Sequence, residues 1–363
     1  MTGIYIHIPF CKSKCPYCDF YSFSPDETDR DSYLKAVLFC LLDHKERIKD
    51  CIDTIYFGGG TPSFFGGERI KKVIDCIKNN YNVTADAEIT VECNPSSVDV
   101  ALLSLLSQAG VNRISMGMQS AVDKERKSLG RLSNKEQVEK AVRIIRSHGI
   151  DNISLDLMLG IPYQTKETLK ESLDFIISQK VKHISAYMLK IEEGTPFYEM
   201  KLPLPDEDEV CDLYLYAAEY LEAEGYEQYE ISNFSLKGFK SRHNLKYWHS
   251  EEYLGIGPSA HSFLNGERFY YPRDFKAFIS KPTLIYDGNG GDEEEYIMLC
   301  LRLCEGLTKE DFQKRFNKEI PEAVFKKAIP FQNAGLLNIT EKGINLTKEG
   351  FLVSNSIITE LLY

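Results

Sequence analysis

A repeating alternation of short apolar runs and amphipathic segments constrains the fold of this chain more than any other feature. Six runs of strand length occur before residue 190, at Ile4–Ile8, Thr54–Phe57, Glu88–Glu92, Arg113–Met118, Ile153–Leu159 and His183–Leu189. Helix-like segments lie between them, at Asp31–Lys49, Gly67–Asn79, Val98–Ala109, Asn134–His148 and Lys166–Gln179. Such alternation is typical of parallel βα units. Six units predict an α/β fold with a partial (β/α)6 barrel, whose chemistry lies at the C-terminal ends of the strands.

The pattern changes after the sixth unit. The last part of the chain is mostly helix-like, and it contains two short strand-like pieces, Gly335–Thr340 and Gly343–Thr347, joined by a turn. Helices with such a hairpin resemble a winged-helix module. We predict a barrel domain over residues 1–235 and a smaller, mostly helical, winged-helix-like domain over residues 236–363, which covers or packs against the barrel.

Three cysteines directly after the first strand form the most specific motif. Cys11, Cys15 and Cys18 have the spacing Cys-x3-Cys-x2-Cys. Three thiolates this close together suit an iron–sulfur cluster or zinc. A four-iron cluster with three protein ligands leaves one iron open to the amino and carboxylate groups of S-adenosylmethionine (SAM). The alternatives are a zinc site completed by His7 or Asp19, or three unrelated buried cysteines.

A run of glycines follows the second strand, at Gly58–Gly60, and continues into Thr61 and Pro62. Glycine permits positive φ angles and close approach of the backbone to a ligand. The turn therefore predicts a ligand contact, with exposed carbonyl and amide groups that could grip the amino group of SAM. A glycine-rich βα turn is a weak signal alone, and it gains weight from the cysteine motif one strand earlier.

Polar side chains stand at the ends of several predicted strands. Glu92 and Asp156 interrupt apolar strands, where a carboxylate is costly unless it is paired. A bound ammonium group or Arg131 would meet that need, and so would an ion pair without a ligand. Gln119 could hydrogen-bond a ribose hydroxyl or cap the next helix. Arg131 could bind a carboxylate group of a ligand, or it could lie in solvent.

Taken together, these motifs resemble the radical SAM superfamily, in which a cluster electron cleaves SAM to a 5′-deoxyadenosyl radical. Thr61 stands where many members have glutamate, and this departure indicates a narrower family. That family contains the oxygen-independent coproporphyrinogen III oxidase and the radical SAM haem chaperones. The resemblance covers nearly the whole chain, and its most specific segments are Tyr5–Cys11, Phe57–Pro62, Glu92–Pro95, Arg113–Ser120, Asp156–Pro162 and Gly194–Pro196.

The resemblance implies a set of cofactor-binding residues. Cys11, Cys15 and Cys18 would hold a four-iron, four-sulfur cluster. Residues expected to line the first SAM site are Tyr5, Tyr17, Gly59 and Glu92. Residues that match a second SAM site in the oxidase are Gly60, Thr61, Gln119, Arg131 and Asp156. In this chain the second set could equally complete a single SAM site or meet the substrate.

A later motif separates the two branches of the family. The segment Arg242–Trp248 matches the His-Asn-x-x-Tyr-Trp motif of the haem chaperones. It implies a haem site in which His243 binds iron and Tyr247 and Trp248 stack on the porphyrin. The oxidase has a further cysteine two positions after the third cluster ligand, where this chain has Phe20. It also has a long N-terminal arm, whereas ten residues precede Cys11 here.

Composition and charge limit the partners. The net charge of −11 disfavours a general nucleic-acid binder. The sequence predicts neither a signal peptide nor a transmembrane segment, and peripheral membrane contact stays open. Ten cysteines together with an oxygen-labile cluster indicate a reducing cytoplasm.

The sequence therefore predicts a cytoplasmic radical SAM haem chaperone, with a four-iron cluster, SAM and haem, that delivers haem to client apoproteins. Whether the protein is also an enzyme stays open. The alternative is a radical SAM enzyme that acts on a porphyrin, either the coproporphyrinogen oxidase or a haem-opening methyltransferase. A zinc-dependent winged-helix regulator is a third and remote class.

Overall fold

The structure, a computed structural model, describes residues 1–131 and 133–363. Its central feature is a sheet of six parallel strands in sequence order. These strands are β1 (Thr2–Ile8), β2 (Ile52–Gly59), β3 (Val83–Cys93), β4 (Arg113–Gln119), β5 (Asn152–Leu159) and β6 (His183–Met188). The predicted partial (β/α)6 barrel is thus confirmed, and each predicted strand coincides with one of the six.

Helices cover the outer face of these strands. They are α1 (Glu27–Asp43), α2 (Pro62–Phe65), α3 (Gly67–Asn80), α4 (Val100–Ala109), α5 (Asp123–Ser128), α6 (Lys135–Ser147), α7 (Lys166–Ser178), α8 (Pro196–Glu199) and α9 (Glu207–Ala223), with short 3-10 helices at Lys45–Arg47 and Pro95–Ser97. Helix α1 begins four residues before its predicted start, because Asp26 forms a capping box with Asp29. The apolar faces of the helices pack on Ile4, Ile6 and their counterparts along the other strands.

Further strands extend the sheet to twelve on both sides of the barrel. Strands β7 (Glu227–Glu230) and β8 (Asn233–Ser235) follow β6, and β9 (Tyr253–Ile256), β10 (His261–Leu264), β11 (Glu267–Tyr270) and β12 (Ile285–Asn289) lie beyond β1. Between them come α10 (Arg242–Trp248) and α11 (Phe275–Ser280). The main sheet therefore crosses residue 235, and the predicted division at that residue stays a prediction.

The C-terminal region is mostly helical. It contains α12 (Glu293–Cys300), α13 (Lys309–Phe316), α14 (Glu322–Asn333), α15 (Lys348–Leu352) and α16 (Ser354–Leu362). A small antiparallel sheet joins β13 (Leu307–Thr308), β15 (Gly343–Leu346) and β14 (Leu337–Ile339) in that order. Its β14–β15 hairpin is the predicted wing. In the described part of the chain, no helix is both long and apolar enough to cross a membrane.

Helix α10 closes the barrel near the N-terminal ends of its strands. Gly3, Thr54 and Glu88 lie side by side in the register of β1, β2 and β3. The Glu88 carboxylate accepts hydrogen bonds from the backbone amides of Arg242 (3.1 Å) and His243 (3.2 Å), the first two residues of α10. A carboxylate there satisfies amides that the helix leaves unpaired. Helix α10 therefore covers this end of β1, β2 and β3.

Candidate functional site

A cavity of about 640 Å³ lies at the C-terminal ends of β1–β6. Parallel strands bring their C-terminal ends to one edge, so residues distant in sequence meet there. Eleven of the predicted site residues line it: Cys11, Cys15, Tyr17, Cys18, Gly59, Gly60, Thr61, Glu92, Gln119, Arg131 and Asp156. Tyr5 lies deeper, where its hydroxyl bonds Nδ1 of His7 at 3.0 Å and its ring faces Tyr56 and His243.

The loop that follows β1 presents three free, partly exposed thiols to this cavity. Its base is fixed where the Cys11 amide donates to the Phe23 carbonyl (2.9 Å). The Cys11 sulfur lies 3.4 Å from Oγ1 of Thr61, and the Arg131 guanidinium lies 3.8 Å from the Cys15 sulfur. A nearby cation favours the thiolate form that binds metal. Burial raises the pKa of Cys18.

The donor set fits an iron–sulfur cluster. In such a cluster the thiolates bind different irons, so they need to surround a shared space rather than converge on one point. No three His, Cys, Asp or Glu side chains among residues 1–131 and 133–363 are grouped so that they could hold a single ion. The two fourth ligands considered for zinc are engaged elsewhere. His7 bonds Tyr5 and the Tyr21 carbonyl, and Asp19 pairs with Arg273 at 3.2 Å.

The atoms around the turn after β2 leave no room for a side chain at its glycine positions. Gly59 has a φ of 107°, and a Cβ there would lie 2.6 Å from the His7 ring. A Cβ on Gly60 would lie 2.8 Å from the Phe10 carbonyl. The amides of Gly60 and Thr61 already donate to Ile8 and Phe10 carbonyls, at 2.8 and 2.7 Å. These two amides are therefore not free to donate to a ligand, and the N–H groups of an amino group would bind carbonyl oxygens of the turn.

Two carboxylates face each other across the cavity beside a buried cation. Oε1 of Glu92 accepts a 2.8 Å hydrogen bond from Tyr56, and burial raises the pKa of Glu92 to about 7. Burial also raises the pKa of Asp156, which accepts a bond from Ser115 (3.4 Å). Within the described ranges neither carboxylate forms an ion pair within 4.0 Å, so the ligand-free ion pair considered for Glu92 is absent there.

Arg113 is the residue that sequence reasoning missed. It is 1% exposed, lines the cavity, and its charge partly offsets the effect by which burial raises the pKa of Glu92 and Asp156. Its Nε and Nη1 have no hydrogen-bond partner among the described residues. The sequence did contain a signal for Arg113, which is a charged residue at the start of an apolar strand. An arginine buried in that position needs polar groups around it.

Arg131 and Gln119 are held at the end of β4. The Arg131 guanidinium donates to the Gly117 carbonyl, and a Cβ on Gly117 would lie 2.7 Å from Nη2 of Arg131. Gln119 has a φ of 70°, and its side-chain oxygen accepts a 3.0 Å bond from the Tyr187 hydroxyl. The Gln119 side chain therefore packs across the cavity wall, and it does not cap the following helix.

The predicted haem ligand His243 is enclosed inside the barrel. It is 1% exposed, Nδ1 bonds Oγ1 of Thr54 (2.8 Å), and Nε2 bonds the Tyr247 hydroxyl (2.9 Å). Its ring stacks on Tyr56 at 5.2 Å, and burial lowers the pKa of His243 to about 3. In this arrangement neither ring nitrogen is free, so iron ligation would require α10 to move.

Tyr247 and Trp248 do not form a shared face with His243. The Tyr247 ring meets His243 edge-on at 5.3 Å and Tyr253 at 4.6 Å. Trp248 lies toward the C-terminal region, where its ring is 5.9 Å from the Arg302 guanidinium. Haem binding by these three residues therefore stays a prediction.

Comparison with known proteins identifies two conserved regions. The model of the radical SAM superfamily matches residues 5–176, and the model of the HemN C-terminal domain matches residues 293–353. Among solved structures, coproporphyrinogen III oxidase (HemN) from Escherichia coli superposes with a TM-score of 0.85. That match covers 99% of this chain and 90% of the oxidase at 20% identity, so it supports the fold alone.

Curated relatives are similar over their full length. The heme chaperone HemW of Bacillus subtilis (strain 168) is 33% identical, with 100% of this chain and 99% of the relative covered. The heme chaperone HemW of Haemophilus influenzae is 35% identical, with 94% of each covered. The cavity has the three thiols that a radical SAM member needs, and similarity at this level extends through the C-terminal region. The chain belongs to the family of the heme chaperone HemW, within the radical SAM superfamily.

Proposed function

We propose that this protein is a haem chaperone that binds haem and passes it to client apoproteins in the cytoplasm. The observation that supports the proposal most directly is full-length similarity to proteins named heme chaperone HemW, at 33% and 35% identity. Phe20 agrees with it, because the resemblance to the oxidase calls for a cysteine at that position. The similarity to the oxidase structure supports only the shared fold.

The proposed cofactor site uses the cavity at the strand ends. Cys11, Cys15 and Cys18 hold a four-iron, four-sulfur cluster, which when bound supplies an open iron and an electron to SAM. Arg131 places its positive charge 3.8 Å from the Cys15 sulfur, beside the negative charge that the ligand thiolates would carry. The Thr61 hydroxyl, 3.4 Å from the Cys11 sulfur, donates to that thiolate once it is deprotonated.

The remaining residues bind and orient SAM. Glu92, once ionised, accepts hydrogen bonds from the SAM amino group, and Tyr56 fixes its orientation. Arg113 has free donors for a carboxylate, and Gln119 and Asp156 suit ribose hydroxyls. The cavity volume of about 640 Å³ accommodates one SAM beside the cluster, and we propose a single SAM site.

The deciding experiment compares haem with coproporphyrinogen on anaerobically reconstituted protein with SAM. We expect stoichiometric haem uptake with a Soret band and transfer to an apoprotein, with no loss of porphyrin. Turnover of coproporphyrinogen to a decarboxylated product would instead establish the oxidase activity.

A further inference from the structure

A groove of about 570 Å³ lies on the outer surface beside the cluster loop. Its walls come from the loop after Cys18 and from strands β10–β12, which extend the sheet beyond β1. Asp19 and Phe20 line both this groove and the cofactor cavity, so the two spaces share one wall. A molecule in the groove would therefore lie next to the cluster loop without entering the barrel.

One histidine in this groove differs from the other six of the chain. His261 begins β10, its ring is exposed, and it has no hydrogen bond to any residue in 1–131 or 133–363. The other six all bond or pair with the protein through at least one ring nitrogen; they are His7, His44, His148, His183, His243 and His249. Iron ligation by His261 would thus break no existing interaction.

The surroundings of His261 suit a flat, amphipathic ligand. Its ring stacks on Tyr270 across the β10–β11 pair, with centroids 5.0 Å apart and planes 21° apart. Phe20 is 64% exposed at the other wall, which is unusual for a large aromatic side chain. Tyr270 thus holds the imidazole ring of a candidate iron ligand, and Phe20 provides stacking area for a porphyrin.

Charged groups in the groove define its polar end. Arg273 is half exposed, and it donates to the carbonyl and the carboxylate of Asp19. A propionate can replace the Asp19 carboxylate on this arginine, whose other guanidinium nitrogens form no hydrogen bond within residues 1–131 and 133–363 and suit a bidentate bond. Asp287 also lines the groove, and its negative charge acts on His261.

We propose that this groove is the haem site, with His261 as the iron ligand, Tyr270 as the ring that orients His261, Phe20 as a stacking surface, and Arg273 as the partner of a propionate. The inference rests on the proposed function, since it names the site at which the cargo binds. It places haem on the outside of the barrel, where a client protein can reach it, and against the loop that holds the cluster ligands.

The test uses reconstituted full-length protein titrated with haem and, separately, with iron-free protoporphyrin IX. We expect His261→Ala to weaken haem binding at least about tenfold and to shift the Soret band, because the axial ligand is lost. Protoporphyrin binding should change little, because stacking remains. His249→Ala is the matched control for a partly exposed histidine outside the groove. Circular dichroism and iron content report folding and cluster content.

A second variant tests the propionate contact. Arg273→Gln should weaken binding of haem but not of haem dimethyl ester, which lacks the carboxylates. If the unaltered protein binds haem and His261→Ala binds it with the same affinity and spectrum, this inference is overturned and the proposed function stays intact. Loss of the spectrum in His243→Ala alone would also overturn it. Unaltered protein that binds no haem would overturn the proposed function itself.

Discussion

The hydroxyl of Tyr56 donates a 2.8 Å hydrogen bond to Oε1 of Glu92, which lies on the neighbouring strand two residues beyond Thr90, the register partner of Tyr56. The bond fixes the carboxylate at the cavity wall, and burial raises the pKa of Glu92 to about 7. A carboxyl group with that pKa changes charge in the neutral range, so its charged form accepts hydrogen bonds from a bound amino group mainly on the alkaline side.

SAM binding should therefore depend on pH through Glu92. Because the ionised carboxylate attracts the SAM amino group, affinity should rise between pH 6 and pH 8. Glu92→Gln should lower affinity about ten- to a hundredfold at pH 8 and remove the pH dependence, with iron content unchanged. Calorimetric titration of both proteins across this range measures the effect. Equal pH dependence in the two proteins would place Glu92 outside the SAM site.

The raised pKa of Glu92 also predicts how the stability of the ligand-free protein depends on pH. The folded state retains the Glu92 proton up to about pH 7, whereas an unfolded glutamate loses it near pH 4.5. Between these values the folded state binds more protons, so this group makes stability fall as pH rises. Glu92→Gln should therefore raise Tm relative to the unaltered protein at pH 8, and the difference should shrink at pH 5.

Alanine substitution should distinguish the three cluster ligands from the other cysteines. Alanine at Cys11, Cys15 or Cys18 removes one of three thiolates, and each variant should lose most of its iron and its SAM binding after reconstitution. Cys76→Ala is the control, because Cys76 lies on α3 away from the cavity lining. Iron and sulfide analysis measures the outcome. Normal iron in all three variants would refute the cluster assignment.

The positions of the six barrel strands were predictable because these strands are continuous apolar runs that end in glycine or polar residues. Ile4–Ile8 and Ile153–Leu159 are buried on the helix-facing side and match β1 and β5 closely. Strands β9–β12 were not predicted, since each has only four or five residues and mixed polarity. Such strands form because β1 offers an unpaired edge, which is a tertiary property.

The grouping of most predicted cofactor residues around one cavity was predictable, because each motif follows a strand and parallel strands end together. The position of His243 was not. A local motif gives residue types, but whether α10 faces solvent or the barrel interior depends on Glu88 and Thr54, far away in sequence. Burying a histidine is feasible only because both nitrogens find partners there.

Gly117 should be needed for the position of Arg131. A Cβ there would lie 2.7 Å from Nη2 of Arg131 and 2.9 Å from the Gln119 amide, so both side chains must move. Gly117→Ala should therefore weaken SAM binding while the cluster remains and stability falls by about 1–3 kcal/mol. In an Arg131→Ala background the same change should have a smaller effect on SAM affinity. Additive losses in the double variant would contradict this coupling.

His243 is expected to act mainly on stability. Its removal leaves Oγ1 of Thr54 and the Tyr247 hydroxyl without their partner and opens a cavity, so His243→Ala should lower the free energy of unfolding by about 2–4 kcal/mol. Because the pKa of His243 is lowered to about 3, the unfolded state binds an extra proton between pH 3 and 6.5. Acidification through that range should destabilise the unaltered protein more than His243→Ala. The folded fraction of the variant should still give the haem spectrum of the unaltered protein. A variant with unchanged Tm and no haem band would instead make His243 the iron ligand, as the motif predicts.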